Sequence, residues 1–201
     1  MNKTNTFLLI GSIVILVLAI INFSFNLDFM KNLTGSATDT GDVNLTLDAG
    51  ASISFNVSEL NWGQGSVNET YGFAWLVSNG TMLYGTSFNT VTQGLKIQND
   101  GNVNVTVNLS ANNYNATFIG GNEPVYKWKV SNNESDSCAA GTIGVSGFTN
   151  VPNAAQSRAC TNLSSIDTRD SLNVDIELHV PEDATAEAKG SIITATATGV
   201  S

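Results

Sequence analysis

Leu172-Asn173-Val174-Asp175-Ile176-Glu177-Leu178-His179-Val180 alternates apolar and polar residues without a break. Successive strand side chains point to opposite faces, so this period of two predicts a strand with two distinct sides. Leu172, Val174, Ile176, Leu178 and Val180 belong on a core, and Asn173, Asp175, Glu177 and His179 in water. Pro181 has no amide proton for a ladder and ends the strand. One-sided alternation of this kind belongs to antiparallel sheets, whose second face is solvated.

The same period recurs along the chain. Val43, Leu45 and Leu47 alternate with Asn44 and Thr46, and Ile53, Phe55 and Val57 with Ser54 and Asn56, around an Asp48-Ala49-Gly50 turn. Tyr71, Phe73, Trp75 and Val77 fall on one face, and Asn79-Gly80 before Met82 signals a hairpin. Leu95 and Ile97 lead through Asn99-Asp100-Gly101-Asn102 into Val103, Val105, Val107 and Leu109. Tyr126-Lys127-Trp128-Lys129-Val130 follows, then a less regular stretch, and Ser191 to Thr198 forms a last strand. Eight to ten short strands with no helical pattern between them predict an all-β fold, an antiparallel immunoglobulin-like β-sandwich. The domain is expected over 43–201.

Ahead of it, Phe7 to Phe25 carries no charge, and its 19 residues nearly cross a bilayer core about 30 Å thick. Lys3 and the amino terminus precede this run, whereas Asp28 and Lys31 cancel beyond it, so the leader is expected inside and the remainder outside. Cleavage needs small residues just after the apolar run, but Asn22-Phe23-Ser24-Phe25 offers none and Gly35-Ser36-Ala37 lies too far along. A retained anchor over 1–25 is therefore expected, with secretion after cleavage as the alternative and 26–42 as a polar linker.

Only 12% of the residues are charged, against about 25% in an ordinary soluble protein. A net charge of −9 with 8 Lys and Arg excludes nucleic acid as a partner, because phosphate binding needs clustered cations. Cys138 and Cys160, the only cysteines, are expected to form a disulfide in an exported chain. Asn-x-Ser/Thr triplets stand at Asn32, Asn44, Asn56, Asn68, Asn79, Asn104, Asn108, Asn115, Asn133 and Asn162. Asn44, Asn56, Asn104 and Asn108 fall on the polar side of their strands, and Asn79 and Asn115 in or beside turns, so strand alternation permits a sugar there.

Chemistry is harder to place. The single histidine, His179, is expected as a solvated surface residue, and no nucleophile elbow, phosphate loop or zinc motif is present. Asp175 and Glu177 share an outward face without a spacing that selects an acid and a base. Asp39 with Asp42, Asp167 with Asp170, or Glu182 with Asp183 supply oxygen to a loop, but none follows an ordered calcium loop, so no cofactor is expected. Among the aromatics, Trp75 is expected in the core, and Trp62, in a glycine-flanked loop, is the candidate ligand contact for a sugar.

The linker Gly35-Ser36-Ala37-Thr38-Asp39-Thr40-Gly41, the strand Ser52-Ile53-Ser54-Phe55, the loop Trp62-Gly63-Gln64-Gly65-Ser66-Val67 and the strand Gly101-Asn102-Val103-Asn104-Val105 resemble surface proteins of small-genome archaea. Val180-Pro181-Glu182-Asp183-Ala184 before a Thr- and Ala-rich strand is similar to the end of many immunoglobulin-like surface domains. More distantly, the chain resembles matrix and bundling-pilus subunits of the bacterial TasA type. That resemblance implies no catalytic residues and polymerisation through a donated N-terminal strand. The expectation is a non-catalytic cell-surface protein, membrane-held through its N-terminal segment, in a structural or adhesive role toward surface proteins, itself or glycans. A secreted filament subunit and a carbohydrate-binding module are the alternatives.

Overall fold

The computed structural model describes residues 13–18, 50–139 and 141–200. The chain divides into two compact units, Met1–Thr46 and Leu47–Ser201. Residues 13–18 are helical. Among the described residues no helix is long and apolar enough to cross a membrane. The expected Val43–Leu47 strand, the 26–42 linker and the rest of the Phe7 to Phe25 run lie outside the described residues, as do Asn32, Asn44, Asp39 and Asp42.

Twelve strands are present among the described residues: β1 (Ile53–Val57), β2 (Ser66–Val67), β3 (Phe73–Val77), β4 (Met82–Leu83), β5 (Gly85–Thr86), β6 (Leu95–Asn99), β7 (Val105–Ala111), β8 (Val125–Asn132), β9 (Thr149–Asn150), β10 (Ser157–Leu163), β11 (Ser171–Pro181) and β12 (Ile193–Gly199). Every pairing is antiparallel. The long alternating segment becomes β11, the centre of a seven-stranded sheet. One of its edges pairs with β8 from Leu172 to His179. The other is shared end to end by β6, against Ser171 to Val174, and β3, against Glu177 to Pro181. Gly94 permits this arrangement, because a Cβ there would stand 2.5 Å from the Val174 carbonyl oxygen.

A second sheet runs β10-β7-β12, and β2 pairs with β5 separately. Leu172, Val174, Ile176 and Leu178 of β11 join Ile97, Trp128 and Val130, together with Val105, Val107 and Leu109 of β7 and Leu163 of β10, in one buried cluster. Both large sheets therefore share a core, each fully buried aliphatic side chain contributing about 1.5–3 kcal/mol. On β7 and β12 the intervening residues, Thr106, Asn108, Ser110, Thr194 and Thr196, carry the polar face that alternation predicts.

Asn99 reaches from the end of β6 toward the second sheet. It is buried, and its side-chain amide donates to the carbonyls of Val103 at 2.9 Å and Ser164 at 3.0 Å. Its own side-chain oxygen accepts from the Gly101 amide at 3.1 Å, so a residue that reads as part of a turn also ties the entry of β7 to the exit of β10.

Two departures from the sequence reading follow from pairing. On β3 the core face is Ala74 and Leu76, set opposite Val180 and Leu178, while Phe73 and Trp75 lie on the other face, with Trp75 opposite His179. Phe-Ala-Trp-Leu-Val is apolar on both sides, so alternation by itself cannot choose between them, and Trp75 is not a core residue. β10, hidden in the irregular stretch, pairs with β7 through register shifts between Arg158 and Cys160 and again before Leu163. Each shift changes which residues point inward, and the period of two disappears.

Candidate functional site on the outer face of β11

The face of β11 that alternation assigns to water is largely covered. Asp175 and Glu177 are buried rather than solvated. β8 lies alongside with Lys129 opposite Asp175 and Lys127 opposite Glu177. The Lys129 ammonium stands 3.2 Å from Asp175, and Lys127 donates to Glu177 at 3.1 Å. Asp175 also accepts from the Asn173 amide at 2.9 Å and the Ser78 hydroxyl at 3.1 Å, while Ser78 oxygen accepts from the Ile176 backbone amide at 2.9 Å. Lys129 lies 5.0 Å from the Phe148 ring centroid. Two carboxylates and two ammoniums thus neutralise one another in a row across two strands. The complementary spacing of Lys127-Trp128-Lys129 and Asp175-Ile176-Glu177 was the available sequence signal for this row.

An aromatic row continues from the charged one. Trp75 meets His179 edge to face at 5.2 Å, His179 stacks on Phe73 at 5.2 Å, and Phe73 meets Tyr84 edge to face at 5.4 Å. Tyr84 stacks on Tyr71 at 4.0 Å. Tyr71 is 54% exposed and ends the row. Tyr84 holds its place with φ at +59°, a left-handed conformation that an aromatic residue adopts only at a cost of about 1–2 kcal/mol.

His179 is therefore not the solvated histidine that its place in the strand suggests. Burial pushes its pKa below the usual 6.5, Glu177 opposes that shift and Lys127 adds to it. The unfolded chain then takes up a proton before the folded one as pH falls, so this residue's stabilisation is complete above about pH 6.5 and is lost below it. His179→Gln is expected to flatten the dependence of Tm on pH between about 5 and 7 while leaving its slope above pH 7 unchanged. Thermal melts of both proteins across that range check it, and parallel curves would show that His179 does not titrate differently on folding.

The remaining candidates are scattered. Trp62 is half-buried and packs against the core cluster, and its carbonyl accepts from the Asn89 amide at 2.7 Å. Cys138 and Cys160 form a disulfide within the core cluster. Cys138 bridges to Leu163 and Ile143 to Cys160, so the cross-linked strap lies along β10. Asp170 is also buried, not a solvated loop acid. Burial pushes its carboxyl pKa up, a hydrogen bond from Gln98 opposes this, and Glu134 and Asp167 add to the rise. Asp167, Glu182 and Asp183 are exposed, and among the described residues no group of three or more acids, histidines or cysteines could hold a metal ion.

Eight glycosylation triplets fall among the described residues. Asn56, Asn79 and Asn133 are exposed, whereas Asn68, Asn104, Asn108, Asn115 and Asn162 are half-buried. No family model, curated protein or solved structure matches this chain, and its sites are defined by their own geometry.

Proposed function

We propose that this chain is a non-catalytic cell-surface protein that presents an immunoglobulin-like β-sandwich outside the cytoplasm in a structural or adhesive role. The observation that carries this reading is the disulfide between Cys138 and Cys160, a bond that persists in oxidising compartments. The uncharged Phe7 to Phe25 run supports export, and two antiparallel sheets sharing one core support the sandwich class. On β11 the acids are held by Lys127 and Lys129, an arrangement that suits a rigid, charge-neutral surface better than proton transfer. The polar face of β7 and β12 suits contact with neighbouring surface proteins, glycans or further copies of the chain. Nucleic acid is not among the partners of a chain with net charge −9.

Cell fractionation, external protease treatment and N-terminal sequencing of the mature protein test this together. The uncut chain is expected in the membrane fraction, with the domain digestible from outside and its cysteines oxidised. A mature terminus near residue 38 would replace the anchored reading with the secreted filament subunit. Resistance to external protease in intact cells, together with free thiols, would reject a location outside the cytoplasm.

A further inference from the structure

The ten Asn-x-Ser/Thr triplets that follow the hydrophobic run are equivalent in sequence, but the fold does not treat them alike. A transferase that attaches a sugar must reach the side-chain amide nitrogen, and must also grip the residues that follow it. Those requirements select by two observations: whether the amide nitrogen is already hydrogen-bonded, and whether the middle residue of the triplet belongs to the core.

The first observation sets aside three sites. The amide of Asn56 donates to Gln98, that of Asn115 to the Pro124 carbonyl at 3.1 Å and that of Asn133 to the Ser171 hydroxyl at 2.8 Å. The second sets aside three more. Val105 follows Asn104, Leu109 follows Asn108 and Leu163 follows Asn162, and each of these middle residues is fully buried. Gripping any of those triplets would pull a core residue out of its sheet.

Asn68 and Asn79 pass both tests. Asn79 is exposed at the β3–β4 hairpin, where its side-chain oxygen accepts from the Thr81 amide at 3.0 Å. Asn68 does the same with Thr70 at 2.9 Å, in the turn before β3. This bond fixes the oxygen end of each amide inward and leaves the nitrogen end without a hydrogen bond among the described residues. The middle residues are Gly80, at the hairpin tip with φ at +93°, and the exposed Glu69. Neither contributes to the core cluster.

We infer that Asn79 and Asn68 are the glycan acceptors of the folded domain, each taking an oligosaccharide from a polyprenyl diphosphate donor. The amide nitrogen forms a bond to the anomeric carbon, and the bond from that carbon to the diphosphate oxygen breaks. The lipid diphosphate leaves with the electron pair, and one amide proton passes to a base of the transferase. The inference rests on the extracytoplasmic reading for its setting in the cell, but its chemistry is tested apart from location.

Folded full-length protein is incubated with a purified oligosaccharyltransferase and a lipid-linked oligosaccharide, and site occupancy is mapped by mass spectrometry of glycopeptides. The same mixture with reduced, unfolded chain serves as reference. In the folded protein Asn79 and Asn68 are expected to exceed Asn104, Asn108 and Asn162 by at least about tenfold, the factor that even a small free energy of local opening imposes. In the unfolded chain that preference is expected to collapse. Thr81→Ala should remove modification at Asn79 alone, and Thr70→Ala at Asn68 alone. Occupancy of Asn108 or Asn162 equal to Asn79 in the folded protein would overturn the inference, as would an unmodified Asn79 in folded chain whose unfolded form accepts sugar there. Protease protection in cells reports on location separately.

Discussion

Trp128→Ala is expected to lower the unfolding free energy by about 3–5 kcal/mol, the usual range for emptying a buried aromatic site. Trp128 is fully buried, lies opposite Ile176 of β11 and joins the core cluster that both large sheets share. The loss combines the transfer free energy of the indole with the void left in a packed interior. Trp128→Phe separates these effects from hydrogen bonding. The indole N–H is buried without a hydrogen-bond partner among the described residues, so exchanging it for a benzene ring removes an unsatisfied donor and should cost less than about 1.5 kcal/mol. Urea unfolding of the three proteins measures both, with a common m value expected. A loss below about 1 kcal/mol for the alanine variant would mean that the core closes over the site.

Removing the disulfide is expected to cost roughly 3 kcal/mol. The bond spans 22 positions, and a loop of that length restricts the unfolded chain by about that amount in the chain-entropy description. Both sulfurs are buried, so the double variant Cys138→Ala with Cys160→Ala is preferred to serine, which would bury two hydroxyls. Reduction of the native protein should lower Tm about as far as the double variant does, and reductant should leave the variant unchanged. The strap carrying Ile143 is expected to lose hydrogen-exchange protection first, because it holds to β10 through isolated bridges. Equal stability with and without the bond would show that packing alone secures this strap.

How much of this was legible differs from strand to strand. β11 was readable as a strand with one apolar and one polar side, because its polar and apolar residues never change sides, but not as a strand whose polar side is covered. β7 and β12 follow for the same reason, and the Asn79-Gly80 hairpin because a tight turn needs those residue types. β3 was readable as a strand but not as a surface, since Phe73 and Trp75 are as apolar as Leu76 and only pairing with β11 chooses the inner face. β10 was not readable, because its register shifts erase the alternation.

The charged and aromatic row was legible only in its parts. Asp175, Glu177 and His179 stood together in one strand, and Lys127 and Lys129 in another 50 residues or so away, without a reason to join them. Pairing of β8 with β11 joins them, and the aromatic face of β3 closes on His179 from the other edge. Periodicity and charge are local properties, and from them alone follow the all-β class, the long alternating strand and the uncharged N-terminal run. The packing of distant strands is what covers the polar face of β11, and it leaves Asn68 and Asn79, of the eight described Asn-x-Ser/Thr triplets, with both an amide nitrogen unbonded among the described residues and a middle residue outside the core. Burial and hydrogen-bond partners are supplied by residues far away in the chain, so no local pattern can encode them.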